Sequence, residues 1–113
     1  AIMNHQMIQA MIADSQAETY AAECMIMDAA RRRDAGEDVT LLASSTKLFA
    51  TEACGRVADR AVQVFGGAGY VSDYGIERFY RDVRIFRLYE GTSQIQQIII
   101  ARELAKAAKA GRL

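Results

Sequence analysis

The chain has no proline, no tryptophan, two cysteines and one histidine in 113 residues. Without proline no rigid helix breaker exists, so helix ends fall to glycine and to capping side chains. Two cysteines and one histidine exclude a self-sufficient cluster of soft metal ligands. Lys+Arg and Asp+Glu each number 14, for a formal net charge of +0. There is thus no basic excess to suggest nucleic acid and no acidic excess to suggest metal buffering. The apolar runs, such as Ile98-Ile99-Ile100-Ala101, are far too short for a membrane span. No signal peptide is visible, and the chain reads as cytoplasmic or, in a eukaryote, mitochondrial matrix material.

What is present is an alanine-rich composition, 51% hydrophobic, with 8 glycines. That favours packed helices over sheet, and the length allows one small domain with a single core. Met3, Met7, Met11, Ile8, Ile12, Ala22, Ile26 and Ala30 recur at helical spacing. They predict a first helix running to Arg33 or Ala35 and stopping at Gly36, with Arg31-Arg32-Arg33 complementing the dipole of its last turn. Ala1 to Gln6 already reads as mid-helix without a cap, as in a piece of a longer protein. Asp38 or Thr40 caps a second helix through Leu41, Leu48, Val57 and Val64, which ends at Gly66-Gly67-Ala68-Gly69. Ser72-Asp73-Tyr74-Gly75 opens a shorter segment through Ile76, Phe79, Tyr80, Val83 and Phe86. A last helix runs from Ser93 to Ala110, with Ser93 and Gln96 spaced as a capping box. The prediction is an all-α, up-and-down bundle of three long helices and one short one. Cys24 and Cys54 fall within helical patterns and read as small buried thiols. Met7, Met11 and Phe65 read as core rather than as a substrate tunnel.

The stretch with most chemical content is Leu88-Tyr89-Glu90-Gly91-Thr92-Ser93-Gln94-Ile95-Gln96. Glu90 sits on a bend that opens directly into a helix, where unpaired N–H groups and a partial positive charge collect. A carboxylate there can act as a base while the neighbouring N–H groups polarise a carbonyl. A first-turn acid favouring the helix dipole is the bland alternative. No second carboxylate, histidine or lysine stands near Glu90 in sequence, so a single-base reaction needs an external electron acceptor. Gln63-Val64-Phe65-Gly66-Gly67 exposes backbone that can lie against a phosphate or a planar ring, or is an ordinary glycine-rich helix end. His5-Gln6 and Arg102 carry no signal in their spacing.

Taken together, Gln63 to Gly67, Tyr80-Arg81-Asp82, Tyr89 to Gln96 and Ile100-Ala101-Arg102-Glu103 closely resemble the C-terminal helical domain of FAD-dependent acyl-CoA dehydrogenases. The resemblance covers the whole chain, from His5-Gln6 to the last helix, with no insertion between the motifs. It implies that Glu90 removes the α-proton of an acyl-CoA thioester while its backbone N–H hydrogen-bonds the thioester carbonyl. The β-hydrogen then passes as hydride to flavin N5, giving a trans-2-enoyl-CoA. Gly91 is implied to line the substrate site and Arg102 to contact the CoA moiety. Thr92, Ser93 and Gln94 match an FAD-contacting stretch, and His5-Gln6 a further FAD contact. Gln63, Val64, Phe65, Gly66 and Gly67 match a loop that touches the FAD of a neighbouring subunit. Electron transfer flavoprotein as acceptor and a homotetramer or homodimer are further implications. Gln97 departs from the pattern, where relatives commonly carry a basic residue. The resembling enzymes need two more domains, so the 113-residue segment alone is expected to be inactive. A free-standing oligomerisation module, an acyl-CoA oxidase and an enoyl-CoA reductase are the competing readings.

Overall fold

The computed structural model describes residues 1–112, and these form helices and short connections. A 3-10 turn, Ile2–Asn4, leads to His5, whose extended backbone (φ −85°, ψ 127°) starts a new helix. Helix α1 (Gln6–Asp34, 29 residues) therefore begins at Gln6, and the expectation of mid-helix across residues 1–6 is corrected. It ends where predicted, with the three arginines in its last turn and Gly36 at φ 83°. Helix α2 (Thr40–Phe65, 26 residues) starts at Thr40. Asp38 does not cap it in the expected way; its Oδ1 accepts from Thr40 N at 3.0 Å and from Thr40 Oγ1 at 2.7 Å. That local turn holds the Asp38 carboxyl below its ordinary range, chiefly through the Thr40 hydroxyl.

Gly66, at φ 59°, breaks α2, and the single turn α3 (Gly67–Tyr70) folds back over its end. A 3-10 turn, Ser72–Tyr74, and Gly75 at φ 72° lead into α4 (Ile76–Val83). A further 3-10 segment, Arg84–Arg87, precedes the bend that opens α5 (Ser93–Lys109, 17 residues). The cap of α5 is Thr92, whose hydroxyl accepts from Ile95 N at 3.3 Å, so the expected Ser93 capping box is displaced by one residue.

The plan of three long helices and one short one holds, with α2 as the axis. Helices α1, α4 and α5 each pack on α2. The contacts are made by small residues. Ala53, Ala58, Ser44, Thr46, Gly69 and Ser93 are buried, with Gln96 the one longer side chain that joins them among the described residues, and no large side chain there is fully buried. Small side chains let helix axes approach closely but bury little apolar volume. Met7 (79% exposed) and Phe65 (46%) are thus not core, contrary to expectation, and Cys24 is an exposed thiol. Their apolar stripes were legible, but among the described residues Met7 is left largely open and Phe65 is covered only in part, with the Tyr74 ring edge-on at 6.4 Å between centroids. The outline agrees: extents of 54 × 27 × 24 Å and a radius of gyration of 17.4 Å, against about 13 Å for a compact domain of this length. Among the described residues no helix is long and apolar enough to cross a membrane.

A polar clamp joins α1 to α2. Glu18 accepts from Arg56 Nε at 2.7 Å and from Arg60 Nη1 at 2.8 Å. The Arg60 hydrogen bond, opposed by partial burial, holds the Glu18 carboxyl below its ordinary value of 4.5. A depressed carboxyl contributes stability above its unfolded value and loses it as pH falls through the folded one. Glu18→Gln is expected to lower the midpoint of thermal unfolding at pH 7, with the gap to wild type closing as pH falls below 4.5. Parallel melting curves from pH 7 to pH 3 check this; a constant gap counts against the clamp.

Candidate active site

The bend before α5 is held from three sides. Lys47, half-buried on α2, donates from Nζ to Tyr89 O at 2.9 Å and also to Gly91 O. Gln96, buried on α5, places Nε2 at 3.5 Å from Glu90 O and 3.4 Å from Gly91 O. Phe86 stacks on Tyr89 with ring centroids 5.9 Å apart. Between these ties Glu90 takes φ 52°, the left-handed region, outside which most non-glycine residues stay. That conformation costs about 1–2 kcal/mol, which the surrounding hydrogen bonds offset. Gly91 follows at φ 89°, and a Cβ there would come within 2.7 Å of Gln96 Nε2. Glycine at this position gives both the backbone sign and the room. The Glu90 side chain is exposed and makes no hydrogen bond or ion pair among the described residues.

The start of α5 is tied to α2 by a second group. Ser93 Oγ donates to Glu52 Oε1 at 2.6 Å, and Arg87 Nη1 donates to Glu52 Oε2 at 3.3 Å. Ser93's hydroxyl, more than Arg87's charge, holds the Glu52 carboxyl below its ordinary range. Arg87 reaches Glu52 by lying flat over Gly55, where a Cβ would sit 3.3 Å from the guanidinium carbon. A glycine inside α2 weakens the helix by about 1 kcal/mol relative to alanine, and here it opens the seat for that guanidinium.

The other residues named from the sequence fall elsewhere. Ser93, matched to a cofactor contact, is buried with its hydroxyl on Glu52, while Gln94 is exposed beside it. Thr92 is half-buried and occupied as the helix cap. Arg102 is exposed on α5 and pairs with Glu103 at 3.3 Å. His5, Gln6 and Val64 line one open hollow at the opposite end of α2, shared with Ile2, Met7 and Ile8. Gln63, Phe65, Gly66 and Gly67 are exposed next to it. Since α1 and α2 are antiparallel neighbours, the start of one meets the end of the other. Val64 lies 17 residues beyond Lys47, or about 25 Å along the helix at 1.5 Å per residue. The chain therefore presents two groups: Glu90, Gly91 and Thr92 at one station of α2, and His5, Gln6 and Gln63 to Gly67 at the other. Lys47, Glu52 and Arg87 were missed from sequence. For Lys47 and Glu52 the one available signal was their charge in residues 41–55, otherwise small and apolar, whereas Arg87 follows Glu77, Arg78, Arg81, Asp82 and Arg84 and stood out in no such way.

A family model described as "Acyl-CoA dehydrogenase, C-terminal domain" matches residues 1–105. Cyclohexane-1-carbonyl-CoA dehydrogenase of Geobacter metallireducens is 47% identical over 107 residues, covering 95% of this chain and 28% of that protein. Caffeyl-CoA reductase-Etf complex subunit CarC of Acetobacterium woodii is 43% identical over 105 residues, covering 93% of this chain and 28% of its own length. Butyryl-CoA dehydrogenase from Megasphaera elsdenii superposes with a TM-score of 0.89 at 33% identity, over 92% of this chain and 27% of that structure. The chain thus spans little more than a quarter of the length of the relatives it matches. On these grounds it belongs to the acyl-CoA dehydrogenase family, to the part of those flavoproteins that forms the C-terminal helical domain.

Proposed function

We propose that this chain contributes the catalytic base of a flavoenzyme that dehydrogenates an acyl-CoA thioester to a trans-2-enoyl-CoA. The observation that carries this reading is Glu90: an exposed, unpaired carboxylate held in the left-handed region on a bend tied down from three sides. A base must be free to take a proton and fixed in place, and few surface glutamates are both. A thioester α-proton is too weakly acidic for a carboxylate in water. Hydrogen bonds to the carbonyl oxygen lower that barrier, each by about 3 kcal/mol in comparable oxyanion sites. The N–H of Glu90 is the donor this chain offers, and Gly91 leaves room for a substrate beside it. Arg102, exposed and charged, suits a phosphate or adenine portion of CoA.

The residues present fit FAD at their edges only. Two adjacent glycines, Gly66 and Gly67, have open space where side chains would stand. The exposed Gln63, the ring of Phe65 and the hollow at His5, Gln6 and Val64 offer mixed polar and flat apolar contact beside them. Thr92, Ser93 and Gln94 offer backbone and amide groups at the other station. When bound, FAD supplies the two-electron acceptor for the β-hydrogen. Separation of the two stations by about 25 Å favours one FAD near Glu90 and a neighbouring copy's FAD at Gln63 to Gly67, hence a homodimer or homotetramer. The name of the Acetobacterium relative, part of a reductase-Etf complex, supports electron transfer flavoprotein as redox partner and keeps the reverse direction open. The same carboxylate serves both directions, delivering to the α-carbon the proton it would otherwise remove.

The test uses the complete flavoprotein that contains this segment. Anaerobic mixing with cyclohexane-1-carbonyl-CoA and butyryl-CoA is expected to bleach the flavin and yield the enoyl-CoA. Oxygen consumption with acyl-CoA alone would identify an oxidase. Absence of bleaching, together with oxidation of the reduced enzyme by an enoyl-CoA, would identify a reductase. Neither reaction with any acyl- or enoyl-CoA would leave the assembly role as the function.

A further inference from the structure

Peptide geometry at the bend says which way its N–H groups point. In a trans peptide the C=O of one residue and the N–H of the next are antiparallel. Lys47 draws the Tyr89 carbonyl toward α2, 2.9 Å from its ammonium nitrogen. The N–H of Glu90 shares that peptide plane and so points away from α2. Lys47 also takes the Gly91 carbonyl, which turns the Thr92 N–H the same way. Gln96 approaches the Glu90 carbonyl from α5, directing the Gly91 N–H outward. Among the described residues the N–H groups of Glu90 and Gly91 donate to no acceptor. The carbonyls of residues 89–91 all face inward onto side-chain donors, while the intervening N–H groups face the open side.

We propose that Lys47 is a positioning residue for the reaction: it fixes the Tyr89–Glu90 peptide so that the Glu90 N–H meets the thioester carbonyl. This rests on the reading of Glu90 as a base acting on a bound acyl-CoA. Two properties suit lysine to the task. Its long stem reaches from the side of α2, and one ammonium with three donors ties two carbonyls two residues apart. Its positive charge sits at the oxygen end of the peptide and polarises it, making the N–H at the other end a stronger donor. A neutral donor would tie the loop without that second effect. Gln96, at 3.4–3.5 Å from its two carbonyls, is a looser tie and does not replace it.

The experiment compares Lys47→Met, Lys47→Arg and Glu90→Gln with wild type in the complete flavoprotein. The substrate is cyclohexane-1-carbonyl-CoA or butyryl-CoA, whichever the wild type turns over faster. Readouts are kcat, KM and the infrared carbonyl stretch of that thioester, ¹³C-labelled at the carbonyl. The stretch is recorded with the flavin reduced beforehand so that no turnover occurs. Lys47→Met is expected to lower kcat between tenfold and about 10²-fold, with little change in KM, and to move the stretch back toward that of the free thioester. Lys47→Arg, which keeps the charge and the donors, is expected to restore part of both. Glu90→Gln keeps its backbone N–H and should retain the carbonyl shift while losing turnover. Wild-type kcat and an unmoved stretch in Lys47→Met would overturn the proposal, as would lowered thermal stability with those two readouts unchanged. If Lys47→Met does not fold, Lys47→Gln serves, with an intermediate shift expected and a full wild-type shift overturning the idea. Wild-type turnover in Glu90→Gln would instead sink the base assignment. A wild-type enzyme that binds and turns over the thioester without shifting its carbonyl would overturn the Lys47 proposal and leave the base assignment standing.

Discussion

Glu90→Gln in the complete flavoprotein is expected to lower acyl-CoA turnover by roughly 10⁴-fold, the upper range for loss of a general base. The reasons are local. The carboxylate makes no ion pair or hydrogen bond within the described residues, so its replacement breaks nothing that holds the fold. Glutamine is isosteric and tolerates the same backbone conformation. The loop ties from Lys47 and Gln96 go to carbonyl oxygens that the substitution leaves in place. Thermal unfolding should therefore be unchanged while the rate of flavin bleaching collapses. Rapid-mixing absorbance of the flavin, alongside a melting curve, reads both quantities on one sample. A variant that melts normally and turns over normally would return Glu90 to the role of a first-turn acid. A variant that neither melts nor assembles normally would show that the carboxylate is structural.

The second large effect is on the fold. Gly69 is buried in the single turn of α3, and a Cβ built there would lie 2.5 Å from Val62 O and 2.9 Å from Phe65 Cβ. The first of these atoms is backbone of α2 and cannot swing aside, so Gly69→Ala must lift α3 off the end of α2. Overpacking of this kind costs about 1–3 kcal/mol, and the rigid obstacle puts this case at the upper end. Gly67→Ala is the control, because a Cβ there meets nothing within 4 Å. Its effect should be near zero or slightly stabilising, since alanine narrows the unfolded ensemble. Denaturant unfolding of both variants decides it; equal stability would mean that α3 is not pressed against α2 as described.

The helices were readable because the chain marks their ends with glycine. Gly36, Gly66, Gly75 and Gly111 all take positive φ, and each stands where a helix was expected to stop or start. Periodicity identified apolar faces but not what covers them, and burial depends on the covering. Met7, Phe65 and Cys24 were misread for that reason. The Glu90 bend was legible as a motif from its own residues. Its supports were not: Lys47 reaches Tyr89 across 42 positions of sequence, and only the packing of α5 on α2 brings them together. The α5 cap moved from Ser93 to Thr92 for a similar reason, because Glu52 on α2 claims the Ser93 hydroxyl.

Helix α2 also acts as a ruler. Lys47 and Glu52 hold the bend from the first half of the helix, and the Gln63 to Gly67 turn leaves its C-terminal end. An unbroken helix is stiff, so the distance and the angle between these two stations are fixed together by the number of residues separating them. One residue more or less in α2 would shift the far station by only about 1.5 Å but rotate it by roughly 100°. The glycine turn would then face a different direction altogether. An insertion or deletion between Lys47 and Gln63 is therefore expected to disturb the two stations together, because both hang on the same helix.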